Sequence, residues 1–175
     1  MTRNQVAFWV LFAATMGVCG TMLLWSLPAV SAAAGGLMPF DMRPGGYDAT
    51  QARAFLVALS PDGAAFYRDV QHRLDIAYLA LLAATLFFAF AALVPRRLGA
   101  WRWVVALPVW IIAGFDYAEN AGVAAMLEAG AAGTTDDMVG RASRWTVLKS
   151  NATIAAMTAL LALLGWRGIA WLRRR

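Results

Sequence analysis

Two carboxylates and an amide lie in the middle of an apolar segment, because Asp116, Glu119 and Asn120 fall between Trp103 and Leu127. On a helix, the spacing i, i+3 and i+4 places all three side chains on one face. A carboxylate in hydrocarbon is costly, so it is retained only where protein partners or water offset that cost. The pattern therefore predicts a buried polar cluster that faces protein rather than lipid.

The candidate partners of these acids are the other polar and ionisable residues at similar depth, namely His72, Asp75, Arg144, Thr146 and Lys149. Lys149 is the only lysine in the chain and lies level with the carboxylates when both segments are drawn as helices. An opposite charge acts on a carboxylate chiefly within about 6 Å. We therefore expect the Lys149 ammonium to contact Asp116 or Glu119.

In one interpretation the cluster is structural. Asp116 pairs with Lys149, and Glu119 pairs with Arg144, so that the ion pairs fix the register of the helices. Asn120 then makes a hydrogen bond to a neighbouring helix. Networks of this kind also perturb ionisable groups, and in sequence they resemble functional sites.

In the other interpretation the cluster is a pocket at the outer face of the membrane that binds an amphiphilic molecule or processes it by acid–base chemistry. Ionisable groups at a boundary between water and hydrocarbon have shifted pKa values, which suits proton transfer. Asp116 and Glu119 are the expected acid and base. Lys149 and Arg144 are the expected charge stabilisers. His72 and Asp75 are the expected proton relay toward water. Further ligand contacts are expected from nearby polar side chains: Asn120, Arg144, Thr146, Arg43 and Tyr117.

The sequence gives no motif for a metal or a cofactor. It contains no HExxH or ExxH spacing, no glycine-rich phosphate loop and no CxxC pair. His72 is the only histidine, which excludes a haem held by two histidines of this chain. We therefore expect neither a metal site nor a cofactor.

Composition indicates an integral membrane protein. Soluble domains have roughly a quarter charged residues, whereas this chain is 14% charged and 61% hydrophobic. The formal net charge of +5 comes from arginines that flank the apolar segments. Orientation in a bilayer explains these arginines better than nucleic acid does, so no nucleic-acid partner is expected.

The apolar segments predict an all-α fold, an antiparallel bundle of four transmembrane helices that forms a single membrane domain, 1–175. The four spans are expected at about 6–30, 71–94, 103–127 and 143–166. An extracytoplasmic cap, 31–60, contains a short helix from Thr50 to Leu59 with Asp48 or Thr50 as its N-cap. Glu128 to Gly140 is expected to be a polar loop, because it is rich in glycine, threonine and aspartate.

Charge asymmetry predicts the orientation. Arginines without any nearby acid flank one side of the bundle: Arg3, Arg96, Arg97, Arg102, Arg167 and Arg173 to Arg175. All ten acids fall within 41–75 and 116–137, on or near the opposite side. The positive-inside rule then places both termini in the cytoplasm, in a bacterial-type inner membrane.

Two classes of function stay open. One is the pocket for an amphiphilic small molecule. The other is an accessory or assembly subunit of a larger inner-membrane complex, whose polar cluster is purely structural. Ala13, Gly17 and Thr21 form a small-xxx-small stripe that suits close helix packing, either within the chain or against a membrane-protein partner or second copy. Membrane lipids are the expected partners in both cases. An ion carrier is disfavoured, because the cytoplasmic two-thirds of spans 2 to 4 lack ionisable residues.

The predicted orientation can be tested by cysteine labelling in a Cys19→Ser background. A membrane-impermeant thiol reagent should modify Asp62→Cys from outside and Leu98→Cys only after permeabilisation, because the first lies beside the cap and the second in the arginine-rich turn. Labelling of Asp62→Cys only from the cytoplasmic side would overturn the orientation.

Overall fold

A computed structural model describes residues 3–173. Helices make up 86% of the structure, and no strand occurs in the part that it describes. The all-helical class expected from the sequence is confirmed.

The N-terminal helical segment consists of α1 (Arg3–Thr21), a π-helical turn (Met22–Ser26) and α2 (Leu27–Ala33). It ends at two glycines, Gly35 and Gly36, whose φ angles are 63° and 87°. Glycine adopts this left-handed backbone without a Cβ penalty, which is why helices commonly end there.

The following connection is ordered and contains the expected short helix. A 3₁₀ turn (Phe40–Met42) precedes α3 (Ala49–Ala58). Asp48 is the N-cap, and its side chain accepts a hydrogen bond from the backbone N–H of Gln51 at 2.7 Å. The Gln51 side chain in turn accepts from the Asp48 N–H, so the two form a capping box.

The second long segment begins sharply at Ser60, whose hydroxyl accepts a hydrogen bond from the N–H of Gly63 at 3.1 Å. It consists of α4 (Pro61–Phe66), a π-helical turn (Tyr67–Gln71) and α5 (His72–Leu93). The second predicted span, about 71–94, thus lies almost entirely within this helical segment.

The third segment is interrupted at Pro108, between α6 (Trp101–Ala106) and α7 (Val109–Gly133). Proline has no N–H to donate, so a regular helix cannot continue through it unchanged. α8 (Asp136–Leu172) then runs for 37 residues.

The prediction of a polar loop from Glu128 to Gly140 is wrong. The regular part of α7 ends at Gly130 (φ 63°), and α8 begins at Asp136. Thr135 is the N-cap of α8 and accepts from the Met138 N–H, while acids in the first turn complement the helix dipole. The residues expected to form a loop therefore lie in the end of α7, in the N-cap Thr135 and in the start of α8.

Three helical segments are long and apolar enough to cross a membrane: Gln5–Ala33, Pro61–Leu93 and Asp136–Leu172. This supports a membrane protein. α7 is not among them, and it carries Asp116, Glu119 and Asn120 in its middle.

Helix α7 packs against both α5 and α8, as expected for consecutive antiparallel helices, and α1 packs against α5. One apolar core joins the cap to α7 and α8 around Phe40, Phe55 and Met126. A second core joins α5, α6 and α7 around Leu86 and Val109. The polar residues of α7 lie between these two cores.

The close contact of α7 with α8 depends on Gly122. A Cβ at this position would lie 2.9 Å from the Cβ of Ala142 and 3.2 Å from its Cα. We expect Gly122→Ala to destabilise the fold by about 1–3 kcal/mol, because backbone must move to accommodate the methyl group. Thermal unfolding in detergent measures the effect.

Gly114→Ala, on the same helix, is the matched control, because nothing lies within 4 Å of the added methyl group. It should be neutral or stabilising, since alanine favours helix over glycine by up to about 1 kcal/mol. Equal effects of the two variants would contradict the proposed close contact.

Candidate functional site

Lys149 on α8 is shared between two carboxylates of α7. Its Nζ lies 2.8 Å from Oδ1 of Asp116 and also pairs with Oε2 of Glu119. The three side chains are 15%, 7% and 0% exposed, respectively. The contact predicted from the single lysine is confirmed, and both carboxylates take part in it.

The second oxygen of Glu119 is also satisfied. Its Oε1 accepts a hydrogen bond from the Thr146 hydroxyl at 2.6 Å. Thr146 lies one turn above Lys149 on α8, so both residues reach Glu119 from the same helix face. The close approach at Gly122 brings this face against α7.

Asp75 on α5 is held by an amide rather than a cation. Asn120 Nδ2 donates to Asp75 Oδ2 at 2.5 Å, and the two side chains are buried. His72, one turn earlier, is half-buried and near enough to act on the Asp75 charge, but makes no hydrogen bond with it.

Three residues expected to bind a ligand lie elsewhere. Arg144 is exposed and donates to the carbonyl of Gly140 at 3.0 Å, so the expected ion pair with Glu119 is not formed. Tyr117 is 41% exposed, and its hydroxyl donates to the carbonyl of Ile76 at 3.4 Å. Tyr117 faces away because it lies about 100° around α7 from Asp116, and Arg144 faces away because it lies about 160° around α8 from Thr146.

Arg43 does not reach the acids of α7 either. Its guanidinium donates to the carbonyl of Met38 at 2.9 Å and 2.6 Å and lies over the rings of Phe40, Tyr47 and Phe55, 5.4–5.8 Å from their centroids. Arginine stacks readily on aromatic faces. Arg43 therefore stabilises the cap from its outer side.

The sequence interpretation missed a polar chain that links the cap to the first two helical segments. Ser26 donates to Gln71 Oε1 at 2.6 Å, and Gln71 Nε2 donates to Asp41 Oδ2 at 3.4 Å. Ser26 and Gln71 are fully buried, and each lies in a π-helical turn. π-Helical turns are frequent at functional sites.

Two tyrosine hydroxyls under the cap, those of Tyr47 and Tyr67, make no hydrogen bond of regular geometry among the described residues. Each is within looser hydrogen-bonding reach of one side chain, Tyr67 of Asp41 and Tyr47 of Thr146. One sequence pattern could have predicted that Tyr67 and Gln71 lie beside Asp75. Tyr67, Gln71 and Asp75 follow each other at i, i+4 and i+8, which places them on one helix face.

The surroundings of Asp41 change its protonation. Burial raises the pKa of Asp41 to about 7, and the charges of Asp75 and Glu119 act in the same direction, whereas Lys149 opposes them. Burial also raises the pKa of Tyr47, with the Glu119 charge as the next cause, so its hydroxyl stays protonated. Asp41 thus lies within the electrostatic reach of the cluster.

An apolar groove of about 600 Å³ runs below the cluster, between α6–α7 and α8. Its lining residues include Val109 and Ile112 on one side and Ala152 and Ala156 on the other. Asp116 follows Ile112 by four residues, and Lys149 precedes Ala152 by three. The ion pair therefore lies one helical turn beyond the groove, on the same helix faces.

No group of three or more histidine, cysteine, aspartate or glutamate side chains within residues 3–173 is arranged to hold a metal ion. The carboxylates are instead partnered separately, by an ammonium, a hydroxyl and two amides. Comparisons with protein families, curated proteins and solved structures find no match for this chain.

Lys149 is expected to be the most sensitive position of the cluster. Lys149→Met leaves Asp116 and Glu119 buried without a cation, and breaking a buried pair costs about 3–5 kcal/mol. Asp116→Asn should cost less, because Lys149 keeps Glu119. For the same reason, Lys149→Met combined with Asp116→Leu should regain only part of the stability. Thermal unfolding in detergent measures the order of stability of these three variants.

Arg141→Met is the control, because it removes a cation from a pair with Asp137 whose side chains are 62% and 70% exposed. Exposed pairs contribute little. If Arg141→Met lowers the melting temperature as much as Lys149→Met, the cluster does not carry the energy assigned to it.

The raised pKa of Asp41 predicts that the stability of the fold depends on pH. Below about pH 4 its carboxyl is protonated in the folded and the unfolded chain, and its contribution to folding is fully present. Between about pH 4 and 7 the unfolded chain releases this proton first, so the folded state loses stability as the pH rises. The melting temperature should fall across this window, and Asp41→Asn should remove part of the fall. Asp62→Asn, an exposed acid, serves as the control; identical slopes in all three proteins would refute the prediction.

Proposed function

We propose that this chain is a four-span inner-membrane protein whose ionisable cluster, together with the apolar groove below it, binds an amphiphilic molecule and processes it by acid–base chemistry. The observation that carries the proposal is the position of the apolar groove directly beside the ion pair, on the same helix faces. An apolar volume of about 600 Å³ ends one helical turn from Lys149 and Asp116. Apolar pockets of about 300–1,000 Å³ with a few convergent polar groups are typical ligand sites.

The length of α7 supports its role as the remaining span, the third in chain order. Its regular part before Gly130 has 21 residues and extends about 32 Å at 1.5 Å per residue, which exceeds the roughly 30 Å hydrocarbon core. Its polar residues face α5 and α8 rather than the outside of the bundle. With both termini cytoplasmic, the cluster lies toward the outer face and the groove toward the cytoplasmic side.

The observed side-chain contacts limit which of the predicted site residues can take part in binding or chemistry. We assign acid–base chemistry to Asp116 and Glu119 and charge stabilisation to Lys149. Asp75 and His72 form the route to water, since His72 is the more exposed of the two. The contacts of Arg43, Arg144 and Tyr117 do not support ligand binding by these residues, and we leave them out of the site.

The proposal is tested by native mass spectrometry of the protein purified in a mild detergent, with quantification of co-purified amphiphiles. Ala159→Phe adds bulk inside the groove, because Ala159 is an exposed residue of its lining. We expect it to abolish retention of the molecule. Ala162→Phe, an exposed position of the same helix outside the lining, should retain it.

Lys149→Met should lose the molecule as well, provided that the variant remains folded by circular dichroism. A wild-type protein without any retained amphiphile, or an Ala159→Phe variant that retains it fully, would contradict the proposed function.

A second candidate, an accessory subunit, is favoured by a specific observation on α1. The stripe of Ala13, Gly17 and Thr21 is exposed, and nothing lies within 4 Å of a methyl group added at Gly17. Small residues at such spacing let two membrane helices approach closely. In this alternative the stripe binds a helix of a partner protein and the cluster is structural.

Gly17→Leu distinguishes this alternative, because it would block a close helix contact without disturbing the chain itself. Gly168→Leu, where nothing lies within 4 Å either, is the matched control. A stoichiometric partner lost only in Gly17→Leu would support the subunit role. Unchanged co-purification in both variants would count against it.

A further inference from the structure

The lower end of the apolar groove, which is the end farther from the ion pair, lies one helical turn from an arginine of α8. Phe90 of α5 and Leu163 of α8 line the groove at this end. Arg167 follows Leu163 by four residues on the same helix. Its guanidinium donates to the carbonyls of Leu93 at 3.0 Å and Val94 at 3.3 Å, one turn beyond Phe90. Contacts on both helices therefore place the guanidinium just beyond the groove.

Lys149 and Arg167 mark the two ends of the groove. They are 18 residues apart, which is five helical turns, so both lie on the same face of α8 at a separation of about 27 Å. The Lys149 charge is neutralised by two carboxylates. Arg167 has no such partner, because the chain has no acidic residue in α6, in the lower half of α5 or in α8 beyond its first turn.

Part of the Arg167 guanidinium is free to bind an anion. Its Nε and Nη2 donate to the last carbonyls of α5, whereas its Nη1 has no partner among the described residues. Carbonyls at a helix end carry only partial negative charge, so they do not neutralise the arginine. The residue is exposed. Arginine N–H groups in a fixed fork suit the oxygens of a phosphate or a carboxylate.

The groove is open to the side rather than enclosed. Val105 and Ile111, which belong to its lining, are 52% and 58% exposed. Along α8 the lining runs from Ala152 to Leu163, which is about 16 Å at 1.5 Å per residue. In a chain that spans a bilayer, such an opening faces hydrocarbon. A long apolar groove of this kind suits an acyl chain that enters from the membrane.

We infer that the groove and Arg167 together bind a membrane lipid with an anionic phosphate headgroup. The acyl chain lies in the groove, and the phosphate binds the free side of the guanidinium. The inference rests on the proposed function, because it uses the same groove. It assigns the headgroup of the amphiphile and its direction, with the head at Arg167 and the chain directed toward Lys149.

Charge favours a lipid over a second copy of this chain. A copy in the same orientation would bring further arginines to this end, among them Arg97 and Arg102, and no acid to meet Arg167. Like charges placed together across an interface oppose association. An anionic headgroup supplies the charge that the chain itself lacks here.

The experiment compares probes that share a chain or share a head. Oleoyl lysophosphatidic acid carries a phosphate, monooleoylglycerol has the same chain and glycerol without it, and glycerol phosphate has the head without the chain. Binding to the purified protein in a mild detergent is measured by native mass spectrometry. We expect the lysophosphatidic acid to bind at least about tenfold more tightly than monooleoylglycerol, because charge-assisted hydrogen bonds are the stronger ones. Glycerol phosphate should bind more weakly than either.

Three variants separate the head from the chain. Arg167→Gln should weaken binding of the lysophosphatidic acid by about tenfold and leave monooleoylglycerol binding unchanged, which shows that the groove remains folded. Ala159→Phe, inside the groove, should weaken binding of both oleoyl probes. Arg141→Gln, which removes an exposed arginine near the other end of α8, should bind both probes like the wild type.

A second measurement needs no variant. Raising the salt from about 0.1 M to about 1 M shortens the Debye length from about 10 Å to about 3 Å, which screens an exposed charge such as that of Arg167. The preference of the wild-type protein for the lysophosphatidic acid over monooleoylglycerol should therefore shrink. A preference that is unchanged by salt would contradict the inference.

The outcomes separate this inference from the proposed function. Equal binding of the two oleoyl probes, or an unchanged affinity for the lysophosphatidic acid in a folded Arg167→Gln variant, would overturn the phosphate site and leave the amphiphile site standing. Glycerol phosphate binding as tight as that of the lysophosphatidic acid would overturn the lipid assignment. A protein dimer that is lost in Ala159→Phe would do the same, by assigning the groove to a second copy. Absence of binding by both oleoyl probes would overturn the inference and the proposed function together.

Discussion

The structure depends on the burial of one ammonium between two carboxylates. A charge taken out of water is costly unless it is paired and its remaining hydrogen-bonding positions are filled. Lys149, Asp116 and Glu119 meet this requirement together, with Thr146 completing Glu119. The requirement fixes both the rotation and the register of α8 against α7, because a shift by one residue would separate all of these atoms. The close approach at Gly122 follows from the same register.

The cap continues this arrangement outward. Phe40, Phe55 and Tyr67 form a chain of ring contacts, with centroids 4.8 Å and 6.2 Å apart, that covers the polar cluster. Arg43 closes the aromatic group from its outer side. On the inner side, Asp41 is linked through Gln71 to Ser26 and lies within electrostatic reach of Asp75 and Glu119. The cap thus combines an apolar cover with a polar inner surface, and its stability is tied to the charge state of the region that it encloses.

The structural and the ligand-binding interpretations of the cluster place overlapping requirements on its buried polar groups. A structural network needs each buried group to be satisfied, and this holds for Lys149 and Glu119. A ligand site also needs space beside such groups, and the apolar groove provides it one helical turn from Asp116 and Lys149. The ion pair therefore supports the helices and, in the proposed function, also borders the ligand.

The sequence by itself determined the helical class, three of the candidate spans, the short helix that begins near Asp48 or Thr50, and the meeting of Lys149 with the acids of α7. These depend on local periodicity, on capping chemistry and on the cost of burying charge, which can be read without knowing the fold. Only the tertiary structure decided that Arg144 and Tyr117 face away, that Arg43 stacks on rings, and that Asp41, Tyr47 and Tyr67 border the cluster. Long arginine and tyrosine side chains can satisfy their polar groups in several directions. Asp41 and Tyr47 lie in an irregular segment whose path is set by packing against helices distant in sequence, so no local pattern encodes where they point.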